Sequence, residues 1–346
     1  MPIIKELSLF DPCTKSNNQV MQKFIYIGID ISKKVLDLSI QASGEEELKQ
    51  IPNKVKDIKK LLENYPAHQL IIGMENTGRY NYPLYEALAN SEAKVFVIPP
   101  LHLKKSLGLT RGKNDQIDAH RIMKFIEKNW KDIPEWIMPS FNVQKLKILL
   151  TERSSRVKMI KQLKSTQKEY ELITKFVREE KLDKLNNQLI HSIQKQVLKI
   201  EDQIEQLISN DKDLVSHAVM IQSVPGVGRI LSWVLIAKTN NFQSITDPRK
   251  MACYSGVVPF DHQSGSSIRK KDRVSIYADK SIKSLLHLGA MSAIRLNNDL
   301  RSYYLRKVDE GKNKMSVLNA VRNKIIHRVF AVIRNQEPYI NYVLTA

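Results

Sequence analysis

The sequence predicts an α/β module followed by a mainly helical remainder, on three observations. Residues 24 to about 130 alternate short apolar runs with amphipathic segments. Residues 141 to 215 contain neither glycine nor proline and are rich in Lys, Gln, Glu, Leu and Ile. From 216 onward glycines and prolines return in a compact, basic stretch that opens "IQSVPGVGRIL". An early hairpin followed by alternating helices and strands implies a mixed sheet covered by helices.

Each element has its own signal. Residues 1–23 show no clear period and read as an N-terminal extension. "FIYIGID" and "VLDLSIQ" alternate as two antiparallel neighbours joined by a turn at "SKK". "VKDIKKLLENY" has helical spacing, "HQLIIGME" reads as a buried strand, and "YPLYEALAN" as a helix. "KVFVIPP" is a further strand, stopped by Pro99 and Pro100. Residues 115–128, "DQIDAHRIMKFIEK", form an amphipathic helix, which completes a first domain over 24–135. In the helical region 141–215, Ile190, Val197 and Ile204 recur by sevens, as do Ile193, Ile200 and Leu207 three positions later. That is an a/d seam, and it suits either two helices of one hairpin or an intermolecular coiled coil. Leu163, Tyr170 and Val177 run by sevens on an earlier helix. The third domain is 216–346, and its "VPGVGR" at 224–229 has the form of a helix-hairpin-helix turn. Glycine amides at such a helix start can cradle a phosphate, which makes Gly226 and Gly228 nucleic-acid candidates; a tight turn between packed helices explains them equally.

Composition narrows the partner. The 346 residues carry 55 Lys and Arg against 36 Asp and Glu, a formal charge of +19. Such an excess favours a polyanion, and its spread through structured segments favours nucleic acid over a lipid surface. Cys13 and Cys253 lie far apart without a C-x-x-C partner, which argues against a disulfide framework or a zinc site and suits a reducing cytosol. The N-terminus carries acids among its apolar residues, a poor signal peptide, and no uncharged apolar run could span a bilayer. The expectation is a soluble cytoplasmic protein.

The carboxylates carry the chemistry. Asp30 ends the first strand, Glu75 ends a later one, and Asp115 and Asp118 stand at i and i+3 on one helix. Neighbouring strands and a helix packed across them could bring the four together, and four converging acids repel unless cations sit between them. Hard oxygen ligands with room for water suit Mg²⁺ or Mn²⁺. Two such ions clamp the attacking and leaving oxygens of an in-line phosphodiester displacement. Lys33, Arg111 and Lys113 stand beside these acids as phosphate contacts. Each acid also has an ordinary explanation: Asp115 can cap its helix, and Glu75 can pair with Arg79.

"IGIDISK", "MENTGRY" and "RGKNDQIDAHRI" together resemble the DEDD motifs of the RuvC-like domain in insertion-sequence transposases of the IS-one-ten group. That group is kin to the Piv/MooV DNA invertases and includes the bridge-RNA-guided recombinases. The resemblance covers nearly all of the chain after residue 24. It implies a ribonuclease-H-like sheet with Asp30, Glu75, Asp115 and Asp118 as a metal-binding catalytic tetrad. It also implies DNA target and donor sites, a structured bridge RNA as guide, and a homodimer that pairs into a tetramer on nucleic acid. The implied location is a bacterial or archaeal cytoplasm, at the nucleoid when active.

The second informative stretch is "CYSGVVPFDHQSGSSIRKKDR", 253–273. Read from its residues alone it suits a phosphate-handling loop but is better explained as an ordinary polar turn with a basic flank. The C-terminal serine domain of the same family resembles it in "GVVP" followed by "SGSSIR", and the family's nucleophilic serine falls on Ser264. Ser255, Ser266 and Ser267 are local rivals. A serine nucleophile exchanges one phosphoester for another, so the strand can be rejoined without ATP. Metals at the tetrad would stabilise the leaving oxygen while Ser264 attacks to give a phosphoserine link. Arg269, Lys270 and Arg273 would neutralise nearby phosphates, and His262 is a possible proton acceptor. One departure stands out. Where many relatives carry a Ser-Lys-x-Gly-Asn-like stretch, this chain reads Ser275-Ile276-Tyr277-Ala278-Asp279. Two other functions compete: a Holliday-junction-type endonuclease using metal-activated water, and a non-enzymatic nucleic-acid-binding scaffold.

Overall fold

The computed structural model describes residues 24–75, 78–98, 103, 115–170, 172–173, 177, 179–258, 260–264, 268–275 and 277–341, with 180, 260–264 and 268–273 described through their backbone alone. The expected N-terminal extension, together with Arg111 and Lys113, lies outside the described residues. The chain divides into two compact units, 1–138 and 139–346.

The first unit is built on a five-stranded mixed sheet of order β3-β2-β1-β4-β5. Its strands are β1 (Ile25–Ile31), β2 (Val35–Ala42), β3 (Glu45–Pro52), β4 (Leu70–Glu75) and β5 (Lys94–Ile98). β1 runs antiparallel to β2 and parallel to β4, which is parallel to β5. Alternation divides the side chains between two faces. One face places Ile27, Ile29, Leu36, Leu38 and Ile72 in a core with helices α1 (Val55–Leu62) and α2 (Tyr82–Leu88). The other packs Ile71, Phe96 and Ile98 against Ile122, Phe125 and Ile126 of α3 (Asp115–Asn129). The expected strands and helices of this region are all present. The unexpected element is β3, whose sequence "EEELKQIP" is charged rather than alternating. It forms because Ser43 and Gly44, both at positive φ, turn the chain back onto β2. A charged strand at a sheet edge also discourages pairing with other chains.

The second unit is helical. A hairpin of α4 (Phe141–Tyr170) and α5 (Glu180–Ser209) leads into α6 (Lys212–Gln222), α7 (Arg229–Lys238) and α8 (Pro248–Tyr254). A two-stranded ribbon, β6 (Phe260–Ser264) and β7 (Ile268–Arg273), comes next. The chain closes with α9 (Lys280–Ala293), α10 (Asp299–Asp309) and α11 (Lys314–Asn335). Ile190, Ile193, Ile200 and Ile204 are buried, as the heptads demand. They face the chain's own α4, to which α5 is tied by Arg153–Glu201 (2.6 Å), Arg156–Gln196 (2.9 Å) and Gln167–Asn187 (3.0 Å). The seam is thus filled within the hairpin. The second run of sevens breaks where α4 ends, and Val177 beyond it is 72% exposed.

The hairpin is continuous with the later helices of its unit. Val143, Leu146, Ile200, Ile204 and Ile208 share one hydrophobic core with Trp233, Ile236, Leu286 and Ile325. The serine region, which reads as a polar turn, is a ribbon with Ser264 at its tip. Among the described residues no helix is long and apolar enough to cross a membrane.

Candidate active site

Register alone brings the first two acids together. β1 and β4 pair in parallel from Ile25 opposite Leu70 to Ile29 opposite Met74. The next step along both strands places Asp30 level with Glu75, on the same face and about one strand spacing apart, roughly 4.8 Å. The side chain of Asn81, wholly buried, holds the Glu75 backbone carbonyl at 3.1 Å. Asn53 adds a second tie, donating from Nδ2 to the carbonyls of both Ser32 and Tyr80 at 2.9 Å. The ends of the two strands are thereby fixed to each other.

Helix α3 supplies the other two. It lies directly on Gly28, where a Cβ would collide with the Ala119 carbonyl and the Met123 amide. Gly73, the neighbour of Gly28 on β4, gives Ile122 and Ile126 their seat. Gly28 and Asp30 share a face, so a helix resting on the glycine carries its first turn, with Asp115 and Asp118, towards the aspartate. The electrostatics record the result. The Asp30 carboxyl is pushed up to about 6, first by burial and then by the charges of Asp115, Asp118 and Glu75. Its one opposing influence is the Ile31 amide, which donates to Oδ1 at 3.1 Å.

The donor set fits a hard divalent cation. Oxygen ligands of one sign that raise each other's proton affinity are stabilised by an ion between them. The acids are not yet closed into a cage: among the described residues no three His, Cys, Asp or Glu side chains form a ready-made metal site. One reason is visible, since Asp118 Oδ1 is held by Arg121 Nη1 at 2.7 Å.

Sequence reasoning overlooked three residues here. Asp37 stands opposite Asp30 in the β1–β2 ladder, is 2% exposed, and accepts a hydrogen bond from Gln50 Nε2 at 2.8 Å. Hairpin arithmetic about the "SKK" turn could have found it. Nothing short of the fold could have found Asn53 and Asn81. Lys33 lies exposed in the same turn.

In the helical unit Ser264 is the last residue of β6, paired with Ile268. The register puts His262 and Lys270 at cross-strand positions on the Ser264 face of the ribbon, and Gln263 and Arg269 on the other. Arg273 stands opposite Phe260, past a register shift. Of the rival serines, Ser255 is fully buried and its hydroxyl donates to the Met251 carbonyl at 2.7 Å, so it is unavailable for attack. Ser266 and Ser267 lie outside the described residues. Gly226, at φ +87°, touches α9 so closely that a Cβ would collide with the Gly289 carbonyl. Gly228 is exposed at the N-cap of α7, with no side-chain cap on that helix.

Two family models match the chain. One, described as a transposase with the DEDD signature, covers residues 27–170, and the other, Transposase IS116/IS110/IS902 family, covers 218–305. The pilin gene-inverting protein of Moraxella bovis is 25% identical over 323 residues, spanning 91% of this chain and 97% of its own length. Its counterpart in Moraxella lacunata is 24% identical over the same spans. A transposase for insertion sequence element IS1111A, from Coxiella burnetii, is 26% identical over 34% of this chain and 33% of its own. The four acids fall within the first match and the serine ribbon within the second. The chain belongs to the IS110 family of transposases and is a DNA transposase/recombinase.

Proposed function

We propose that the chain breaks and rejoins DNA through a phosphoserine link at Ser264, with Asp30, Glu75, Asp115 and Asp118 holding divalent metal, Mg²⁺ or Mn²⁺. The observation that carries this reading is the gathering of the four acids: burial first, and then the charges of Asp115, Asp118 and Glu75, push Asp30 up to about 6, a strain that a cation there would relieve. A divalent ion there supplies Lewis-acid stabilisation of phosphoryl and leaving oxygens. The Ser264 hydroxyl gives up its proton and attacks phosphorus, the bond to the sugar oxygen breaks, and that oxygen takes a proton. Attack by the sugar hydroxyl of another strand reverses the exchange and frees the serine, so no high-energy cofactor is consumed. Lys33, Arg111, Lys113, Arg269, Lys270 and Arg273 bind backbone phosphates, as does the exposed amide end at Gly228. The packing of Gly226 against α9 supports a structural role for it within that turn.

The family resemblance supports a structured guide RNA as partner, bound through shape and backbone, and the formal +19 charge allows it. The functional assembly in this reading is a dimer that pairs into a tetramer on DNA.

The decisive experiment incubates the protein, its co-purifying RNA and DNA bearing the element's junction with Mg²⁺. Mass spectrometry is expected to find DNA attached to Ser264, and Ser264→Ala to lose both adduct and cleavage. Cleavage that survives Ser264→Ala would transfer the activity to metal-activated water and refute the serine. Strand joining unaffected by EDTA or by Asp30→Ala would refute the acids.

A further inference from the structure

The helical unit buries a cation that has no anionic partner among the described residues. Arg322, midway along α11, is only 7% exposed. Its Nη1 donates to Asn319 Oδ1 at 3.3 Å and its Nη2 to His287 Nδ1 at 2.8 Å, while Nε is enclosed without an acceptor. A guanidinium can only donate, so His287 accepts at Nδ1 and keeps its proton on Nε2. Both partners of Arg322 are therefore uncharged.

Three other arginines of the unit show the contrast. Arg153 is paired with Glu201, Arg229 with Glu205, and Arg328 with Asp299. Burial holds the Arg322 pKa below the usual arginine value, and no carboxylate among the described residues opposes it. A buried charge left in this condition destabilises the free protein.

Its position suggests what would complete it. Asn319, which accepts from Arg322, also donates from Nδ2 to the Val257 carbonyl at 2.6 Å. Val257 is buried and lies three residues ahead of β6, the strand that ends at Ser264. Arg322, His287 and Asn319 thus stand at the root of a ribbon whose second strand contains Arg269, Lys270, Lys271 and Arg273. The planar donor fork of arginine matches phosphate oxygens better than any other side chain.

We propose that Arg322, oriented by Asn319 and His287, receives a phosphodiester oxygen of the nucleic-acid backbone at the root of the β6–β7 ribbon. This rests on the proposed function only in taking nucleic acid as the ligand, and requires neither the metal nor the serine nucleophile. The test uses full-length Ser264→Ala protein in EDTA, titrated by fluorescence anisotropy with a short DNA duplex of arbitrary sequence over a salt series. Adding Arg322→Met is expected to weaken binding several-fold and to reduce the slope of log K against log salt by about one, the signature of one lost phosphate contact. Arg322→Lys is expected to restore the slope, and decides the matter if the Met variant melts lower than its parent. An unchanged slope in Arg322→Met overturns the proposal. So does a reduced slope that lysine fails to restore, which would make Arg322 a structural prop. Inorganic phosphate provides the last arm, with chloride at matched ionic strength as control. If phosphate raises the melting temperature of the parent but not of Arg322→Met, while both bind DNA with equal slopes, the site takes free anions and the nucleic-acid assignment falls. Failure of the catalytic reading would appear elsewhere, as strand joining that outlives Ser264→Ala.

Discussion

The two units carry opposite electrostatic deficits. In the sheet unit four carboxylates gather around the ends of β1 and β4, and Asp118 among them is paired with Arg121. In the helical unit Arg322 is enclosed among neutral partners. Several other half-buried charges are paired in the ordinary way, as Lys124 with Glu46 in the sheet unit and Lys238 with Asp279 and Arg153 with Glu201 in the helical unit. The contrast separates charges that hold the fold from charges kept at its expense. A compensated pair is explained by its partner. Like charges crowded at one place, or a buried charge among neutral partners, are relieved by a ligand of the opposite sign: a divalent cation at the acids of the sheet unit and, in our proposal, a phosphate at Arg322.

The largest expected effect breaks the sheet side of this comparison. Asp30→Asn should lower divalent-dependent strand transfer by about 10²–10⁴-fold, since several kcal/mol of transition-state stabilisation are at stake. The same change should raise the melting temperature in metal-free buffer, because it removes a repelled charge. The raised carboxyl also sets a pH dependence. Asp30 binds its proton more tightly folded, near 6, than at its ordinary 3.8. Stability is therefore greatest below 3.8, falls as pH rises from about 4 to 6, and is level above. Discounted for solvent screening, the loss is about 1–2 kcal/mol. Urea midpoints at pH 4 and pH 7 check it, and Mg²⁺ should recover the loss at pH 7. If the Asn variant melts lower than the parent, the acids are not in conflict. Next in size, Gly28→Val would force a side chain into the backbone of α3 and should cost about 3 kcal/mol. Urea unfolding reads that cost, and the stabilisation by Mg²⁺ should vanish with it as Asp115 and Asp118 are displaced.

Much of the sheet unit is legible in the sequence because its physics is local. Period-two alternation gives β1 and β2, short apolar runs give β4 and β5, the prolines after Ile98 mark the end of the last strand, and an acid stands at or next to the end of β1 and of β4. The convergence itself is not local. It depends on β4 lying beside β1, and on two glycines at equivalent register positions making a seat for α3. Asp37 escapes notice because its partner is set by the turn, and β3 because charged residues mask its pairing. In the helical unit the heptad seam is plain, but periodicity cannot say whose helix fills it. Arg322 is beyond sequence reasoning altogether. Nothing in "LNAVRNKII" distinguishes it from Arg328 six residues on, which has Asp299 for a partner; only tertiary packing sorts the paired arginine from the unpaired one.

The smallest effect sharpens the comparison by measuring a charge that is compensated. Burial would push the Asp279 carboxyl up, but hydrogen bonds from Lys238 and Ser281 prevail and hold it at about 2. Its Oδ1 also caps α9 through the Ser281 and Ile282 amides, at 2.9 and 3.2 Å. The folded pKa lies below the ordinary 3.8, so this stabilisation is complete above about pH 4 and is lost as pH falls towards 2. Asp279→Asn keeps a capping oxygen and gives up the ion pair, and should cost about 1 kcal/mol near neutrality. Asp279→Ala loses both and should cost about 2 kcal/mol. The difference between parent and Asn variant should shrink between pH 4 and pH 2, whereas Asp30→Asn should change stability with the opposite sign and at higher pH. Should the two aspartates respond to acid with the same sign, the distinction between a charge that serves the fold and one that awaits a ligand would lose its basis.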